Sequence, residues 1–310
     1  MTKPIVVVGS INLDLVANSE RIPSPGETVS GKIFNTYFGG KGANQAVAVA
    51  RLGHPVIMIG KVGEDVFGSE LEQGLKAAGV DTRCIQRVRR ASGVALIVTD
   101  KNGENSIVVV PGANGELAPN DLDRYRDVLL GAGIILTQLE IPLNTVEHLA
   151  NFAREHKIPF MLDPAPARPL PASLLQNSTW ITPNEIEMNT LEAASHSLNE
   201  KSIAEKLATK GVQNLLIKLG SRGVLLKEKD QTAVMVPGFS VNAIDTTAAG
   251  DAFNGAFAVG LVRGKSAHES AEFANAVAAI SVTRAGAQTS MPTAKEVEVF
   301  LRNRSAKRNA

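Results

Sequence analysis

Short β-branched and aliphatic runs alternate along this chain with longer stretches in which apolar residues recur at helical spacing. The runs at 5–9, 56–60, 133–137, 159–162, 179–182 and 214–219 predict buried strands. Between them, residues 43–52, 68–78, 145–156, 203–210 and 251–262 predict helices. Strands linked by crossover helices pair in parallel, so the expected fold class is α/β, a doubly wound and mostly parallel sheet. Ligands of such sheets collect beyond the carboxyl ends of the strands, and the loops there are the first place to look for chemistry.

Two stretches break the alternation. Residues 16–38 are rich in Pro, Gly and Thr, and residues 92–110 read as a hairpin turning near 100–105. Both predict strands without helices. The simplest arrangement joins them as a small β-sheet lid over the ligand edge, leaving 1–15, 39–91 and 111–310 as the main domain. The run 107–110 is apolar enough to need a partner, so a lid surface and a dimer contact are compatible.

Composition narrows the function classes. With 32 basic and 31 acidic residues the formal charge is +1, which gives no broad field for nucleic acid or anionic lipid. An anionic ligand must therefore be held by local groups. The single cysteine, Cys84, forms no internal disulfide and reads as a small buried filler. The opening apolar run soon meets polar Asn12 and Asp14, too early for a signal or membrane segment, so cytoplasmic residence is expected. The basic tail at 302–310 is expected to fray.

The strongest segment for chemistry is IDTTAAGDAFNGAF at 244–257, where small residues crowd a turn that opens an apolar helix. Ala248, Ala249 and Gly250 have little side chain to screen their amides, and amides at a helix start form an anion pocket. Asp251 follows in the first turn. A carboxylate there either caps the helix or accepts a proton from an attacking hydroxyl. The run of small residues favours the second role, because a cap does not need successive bare amides.

A second Gly-rich turn, FGGKGANQAVAVARLG at 38–53, also opens an apolar helix, but it lacks the spacing of a Walker motif. Gly39, Gly40 and Gly42 allow close backbone approach, while Lys41 and Asn44 offer groups for vicinal hydroxyls. In GSINLDL at 9–15, Asn12 and Asp14 share a side if the chain stays extended. Glu140 points a carboxylate at the same edge. In ITPNEIEM at 181–188, Asn184 and Glu187 share a face if the segment turns helical, and they suit hydrated Mg²⁺, a helix cap at Asn184, or both. The turn at 218–223, with Lys218, Leu219, Gly220, Ser221 and Gly223, reads as an adenine or ribose site or as a plain hairpin.

The motifs GGKGANQAVA, PNEIE and DTTAAGDAFNGAF, in this order from about residue 5 to 301, resemble the PfkB carbohydrate kinase family, and within it the members acting on ribose. The resemblance implies a Rossmann-like domain with a β lid that phosphorylates the 5-hydroxyl of D-ribose with MgATP and forms a homodimer through the lid. It implies ribose contacts from Asn12, Asp14, Gly40, Lys41, Asn44 and Glu140, with Asp251 as base. Asn184, the turn at 218–223, Gly250 and Asn275 are implied around ATP, and Glu187 in ordering Mg²⁺ through water. Activation by K⁺ is implied next to the anion pocket, at positions matching Asp245, Thr247, Ser281, Arg284, Gly286 and Ser290. Lys218 stands where such proteins often carry Thr. Two other functions keep the same motifs in play: a family kinase for another sugar or a nucleoside, and a non-catalytic sugar-binding regulator. A Rossmann dehydrogenase is set aside, because GSINLD lacks the Gly-x-Gly-x-x-Gly turn.

Overall fold

A computed structural model describes residues 2–192 and 200–308. From the N-terminus, β1 (Ile5–Val8) passes into β2 (Asn12–Ser19) and β3 (Gly31–Gly39), followed by α1 (Lys41–Arg51), β4 (Val56–Gly63) and α2 (Val66–Ala77). Next come β5 (Asp81–Val88), β6 (Gly93–Thr99), β7 (Asn105–Val110), the short helices α3 (Pro119–Asp123) and α4 (Arg126–Leu130), and β8 (Ile134–Thr137). The chain continues through α5 (Leu143–Glu155), β9 (Phe160–Leu162), α6 (Ala172–Asn177), β10 (Trp180–Ile181), α7 (Glu185–Glu192) and α8 (Glu200–Thr209). It ends with β11 (Leu215–Lys218), β12 (Gly223–Lys227), β13 (Val234–Pro237), α9 (Ala249–Val262), α10 (Ala267–Ser281) and α11 (Ala294–Arg308).

The large sheet has the order β13-β12-β11-β10-β9-β8-β1-β4-β5. It is parallel from β11 to β5 and antiparallel where β12 and β13 fold back. Its strands are continuous apolar runs because helices cover both faces. Alternation along β1 sends Ile5 and Val7 to the side packed by α1 and α9, and Val6 and Val8 to the side packed by α5. Trp180 meets Phe257 of α9 edge-on at 4.9 Å, closing the first of these layers.

The small sheet has the order β3-β2-β6-β7, with β2 and β6 parallel and the outer pairs antiparallel. The hairpin between β6 and β7 turns at 100–104, as expected. The sheet starts at Asn12, ahead of the residue-16 boundary read from sequence, because the extended chain leaving β1 passes directly from one sheet to the other. Its root is tied to the main body by Asp65. This residue caps α2 through the Gly68 amide at 2.7 Å and also accepts from the Ser92 amide at 2.8 Å.

The predicted strands and helices of the alternating region are all present, with shifted ends. Other elements escaped the pattern: β5, whose burial is mixed, the β13 edge, and α10, an Ala-rich helix opened by a reciprocal Ser266–Glu269 capping box. The tail also departs from expectation, since α11 carries it as helix to Arg308; residues 309–310 lie outside the described residues. Cys84 is free and buried on β5.

Candidate active site

The carboxyl ends of β1, β8, β9, β10 and β11 lead to Ser10, Glu140, Asp163, Asn184 and Lys218, all on one edge of the sheet. The N-termini of α1 and α9 face this edge. Two adjoining cavities of about 470 and 520 Å³ open there, sharing Lys218, Gly220, Thr246, Ala249 and Gly250. The first is walled by charged groups, including Lys41, Asp163, Glu187 and Asp251. The second is more apolar, with Val224, Phe253 and Val282 in its walls.

Ala248 is the N-cap residue of helix α9; its backbone is left-handed (φ 57°, ψ 14°) and it makes no side-chain cap. This turn bends the Ala249 amide back onto the Thr246 carbonyl at 3.2 Å. The expectation of three bare amides at 248–250 is therefore corrected for Ala249. The amides of Ala248 and Gly250 have no acceptor among the described residues, as expected, and neither has that of Asp251, so the pocket extends into the first turn of α9.

Asp251 does not cap its helix. Its carboxylate accepts from Asn44 Nδ2 at 3.0 Å and from Gln45 Nε2 at 3.1 Å, both on α1. Only 5 % of the residue is exposed, and burial raises its pKa to about 6; Lys41 opposes the rise and Asp163 adds to it. The group is thus a carboxylate at neutral pH with an affinity for protons well above that of a free aspartate. Asn44 Oδ1 is buried without a donor among the described residues, which leaves an acceptor beside Asp251 for a hydroxyl.

The glycines before α1 serve the chain itself. A Cβ on Gly40 would stand 2.7 Å from the Asn12 amide nitrogen, one on Gly42 would stand 2.7 Å from the Gly9 carbonyl carbon, and one on Gly39 would overlap the Asp14 carboxylate. The close approach predicted for a ligand is already made by the protein's own backbone and by Asp14. What this turn offers a ligand is side chains. Burial lowers the pKa of Lys41, but Asp251, Asp163, Glu140 and Glu187 outweigh it and hold the ammonium above its ordinary range. Burial raises the Asp14 pKa to about 7, with Glu140 and Asp251 adding to the effect. Glu140 is fixed by the Ser10 hydroxyl at 2.5 Å and the Lys41 amide at 3.2 Å.

Asn12 and Asp14 share one face of β2, as extended chain requires. Asn12 Oδ1 accepts from Asn114 Nδ2 at 2.7 Å, which leaves its own amide N–H groups for a ligand. At the other end, Asn184 and Glu187 form a reciprocal cap: the Asn184 amide donates to Glu187 Oε2 at 2.7 Å and the Glu187 amide to Asn184 Oδ1 at 2.8 Å. Both still line the charged cavity. Lys218, Gly220, Ser221, Gly223 and Asn275 line the apolar one, and Asn275 donates to the carbonyls of Val236 and Pro237. Leu219 is different: its side chain packs in the core beside Ile217 and Leu225 and lines neither cavity.

Asp245 ties together the two segments expected to hold a monovalent cation. Its carboxylate accepts from the Thr247 and Gly286 amides, each at 2.8 Å. Despite partial burial, hydrogen bonds from Thr247 and Gly286 hold its pKa below the ordinary value. The hydroxyls of Ser281 and Ser290 donate to the Ala278 and Ala287 carbonyls, and Arg284 pairs with Glu296, so any cation contact from these positions falls to backbone oxygens.

Sequence reasoning missed Gln45, Asp163 and Asn114. Gln45 was within reach, one residue past Asn44 in the same motif, and Asp163 directly follows a predicted strand at the ligand edge. Asn114 gave no such signal. It lies far along the chain yet closes the β1–β2 connection by accepting from the Ile11 amide at 2.9 Å.

The family model for pfkB family carbohydrate kinases matches residues 2–294. A ribokinase of Bacillus subtilis is 44% identical over 302 residues, covering 96% of this chain and 99% of its own. A deoxyribokinase of Salmonella typhi is 38% identical over 301 residues, with coverage of 96% and 98%. Among solved structures, Arabidopsis thaliana ribokinase complexed with ribose and ATP superposes with a TM-score of 0.91 at 35% identity, covering 97% of this chain and 99% of that one. A family match over residues 2–294, together with relatives of this identity over nearly the whole chain, places the chain in the pfkB family of carbohydrate kinases.

Proposed function

We propose that this protein transfers the terminal phosphoryl group of ATP to the 5-hydroxyl of D-ribose, giving ribose 5-phosphate and ADP. One observation carries the reading: the buried Asp251 carboxylate is held by α1 beside first-turn amides of α9 that have no acceptor among the described residues. The ribose oxygen attacks the terminal phosphorus as Asp251 takes its proton, and the bond to the ADP oxygen breaks. The Gly250 and Asp251 amides receive the charge that spreads over the phosphoryl oxygens. Asn12, Asp14, Lys41, Asn44 and Glu140 hold the sugar hydroxyls, and the turn at 218–223 with Asn275 receives the nucleoside. The 470 Å³ charged cavity, lined by Lys41, Glu187, Gly250 and Asp251, supports the phosphate placement, and the adjoining apolar cavity supports that of adenine. The β3-β2-β6-β7 sheet serves as lid.

Mg²⁺ accompanies the nucleotide in this reading. Among the described residues, no group of three or more His, Cys, Asp or Glu side chains forms a direct metal site. The buried Glu187, beside Asp163 in the same cavity, fits a hydrated ion held mainly by phosphate oxygens. Bound there, the ion would neutralise phosphate charge. A K⁺ ion fits the carboxylate of Asp245 and nearby backbone oxygens of Thr247, Ser281, Arg284, Gly286 and Ser290. The exposed apolar residues Ile33, Phe34, Ile107 and Val108 on the outer lid strands support a homodimer through the lid. Among the described residues no helix is long and apolar enough to cross a membrane, and cytoplasmic residence accords with that.

A coupled assay for ADP with ribose, 2-deoxyribose and other sugars, each with and without K⁺, tests the reading. Fastest turnover with ribose, increased by K⁺, is expected. The resemblance to a deoxyribokinase supports a second substrate, 2-deoxyribose, and higher kcat/KM for that sugar would replace ribose in the assignment.

A further inference from the structure

Lys218 ends β11, and its side chain lies on the wall common to the two cavities. Its ammonium is 2.9 Å from Asp163 Oδ1, with 13% of the lysine side chain and 4% of the aspartate side chain exposed. A Cβ built on Gly250 would stand 3.4 Å from Lys218 Nζ, so the ammonium faces the first turn of α9. The other oxygen of Asp163 accepts from Gln45 Nε2 at 3.0 Å, and the same nitrogen donates to Asp251 Oδ1 at 3.1 Å. Gln45 cannot reverse its amide without loss, because its Oε1 accepts from Gln138 Nε2 at 2.7 Å. A continuous buried chain thus connects Lys218, Asp163, Gln45 and the base.

We propose that Lys218 is a further catalytic residue whose ammonium contacts the phosphoryl group during transfer, and that Asp163 is the positioning residue that aims it. The inference rests on the phosphoryl-transfer reading above. An ammonium has three N–H donors, and Asp163 engages one, which leaves donors for phosphoryl oxygens seated on the Gly250 and Asp251 amides. Lys218 stands between the apolar cavity and the base Asp251, which is also where the phosphorus must cross. A fixed cation at that crossing gains most from the charge distribution of the transition state. Gln45 then holds two carboxylates in register: one aims the cation at the phosphoryl group, and the other takes the hydroxyl proton.

The test compares Lys218→Met, Lys218→Arg, Asp163→Asn and the Lys218→Met/Asp163→Asn pair. Two readouts are needed: steady-state kinetics with ribose and MgATP, and calorimetric affinity for ADP and for a non-hydrolysable ATP analogue. Lys218→Met is expected to lower kcat by about 10²- to 10³-fold, with the ribose KM changed less than about tenfold. It should weaken the ATP analogue more than ADP, a difference that a purely structural lysine would not produce. Lys218→Arg should recover part of the rate. Asp163→Asn should lower kcat, and adding it to Lys218→Met should cost little more, since the aspartate acts through the lysine. Equal losses for ADP and the analogue, a kcat within about tenfold of the parent, or multiplying losses in the double variant would each overturn the proposal. If the parent protein does not act on ribose, the substrate assignment fails. The comparison of ADP with the analogue still decides the role of Lys218.

Discussion

The two glycine-rich turns look alike in sequence and do opposite work. Each opens an apolar helix, each places its cap residue in left-handed backbone, and neither has a side-chain cap: Gly40 at φ 87° before α1, Ala248 at φ 57° before α9. Before α1 the amides are all spoken for. Lys41 donates to Glu140, Gly42 to the Ser10 hydroxyl, Ala43 to the Ser10 carbonyl and Asn44 to the Gly40 carbonyl. Before α9, Ala249 is satisfied internally, but Gly250 and Asp251 are not. The first turn is thus a closed joint that presents side chains, and the second is an open one that presents backbone. Small residues in a strand-to-helix turn do not by themselves mean an anion site; what matters is whether the chain has already claimed the amides.

The sharpest way to break this contrast is to remove the group that the open turn serves. Asp251→Ala is expected to lower kcat by about 10²- to 10⁴-fold while sugar affinity, measured by calorimetry, is largely kept. A near-normal rate would reduce the α9 turn to structure alone. The next test exchanges the turns' tolerance for a methyl group. Gly40→Ala meets backbone at 2.7 Å in left-handed geometry and should cost roughly 2–4 kcal/mol in denaturant unfolding. Gly250→Ala would place a methyl group in ordinary van der Waals contact with Lys218 at 3.4 Å, so its stability should change by less than about 1 kcal/mol while kcat falls by about tenfold or more. If both variants lost stability equally, the distinction between closed and open turn would fail.

A milder probe is pH. Burial raises the Asp251 pKa to about 6, and the base works as the deprotonated form. Acidification should therefore reduce kcat/KM as pH falls through about 6, whereas a solvated aspartate would hold its activity down to about 4. A flat profile between pH 7 and pH 5 would argue against Asp251 as the titrating group. The smallest effect concerns strain. Ala248 bears the left-handed penalty that Gly40 avoids, so Ala248→Gly should raise stability, by less than about 1 kcal/mol once the greater freedom of the unfolded chain is counted. A decrease on thermal unfolding would mean that the alanine methyl is held by packing rather than tolerated.

Much of the fold was readable because fully buried parallel strands are continuous apolar runs, and β1, β4, β8 and β11 announce themselves in this way. Strand β5 did not, since it is only partly covered and its Asp81, Arg83 and Arg87 break the pattern. The site was legible where chemistry was concentrated in a short motif, as with Lys41 and Asn44 or with Asp251. It was not legible where a contact spans the sheet. Asp163 follows β9 and Lys218 ends β11, far apart in the chain, and nothing near either residue indicates that they pair.

By itself, the sequence determined the strands and helices of the alternating region, the edge of the sheet at which to look for chemistry, and which residues could serve as base and sugar ligands. These properties are local: periodicity, turn composition and side-chain type do not depend on the rest of the chain. Only the tertiary structure decided that Asp251 is held from α1 instead of capping α9, and that the Ala249 amide is taken while those of Ala248, Gly250 and Asp251 stay free of acceptors among the described residues. It also decided that the glycines at 39–42 make room for the protein's own backbone. Each of these depends on which distant group reaches a donor or acceptor first, and that competition is settled only when the packed elements bring the groups within hydrogen-bond range.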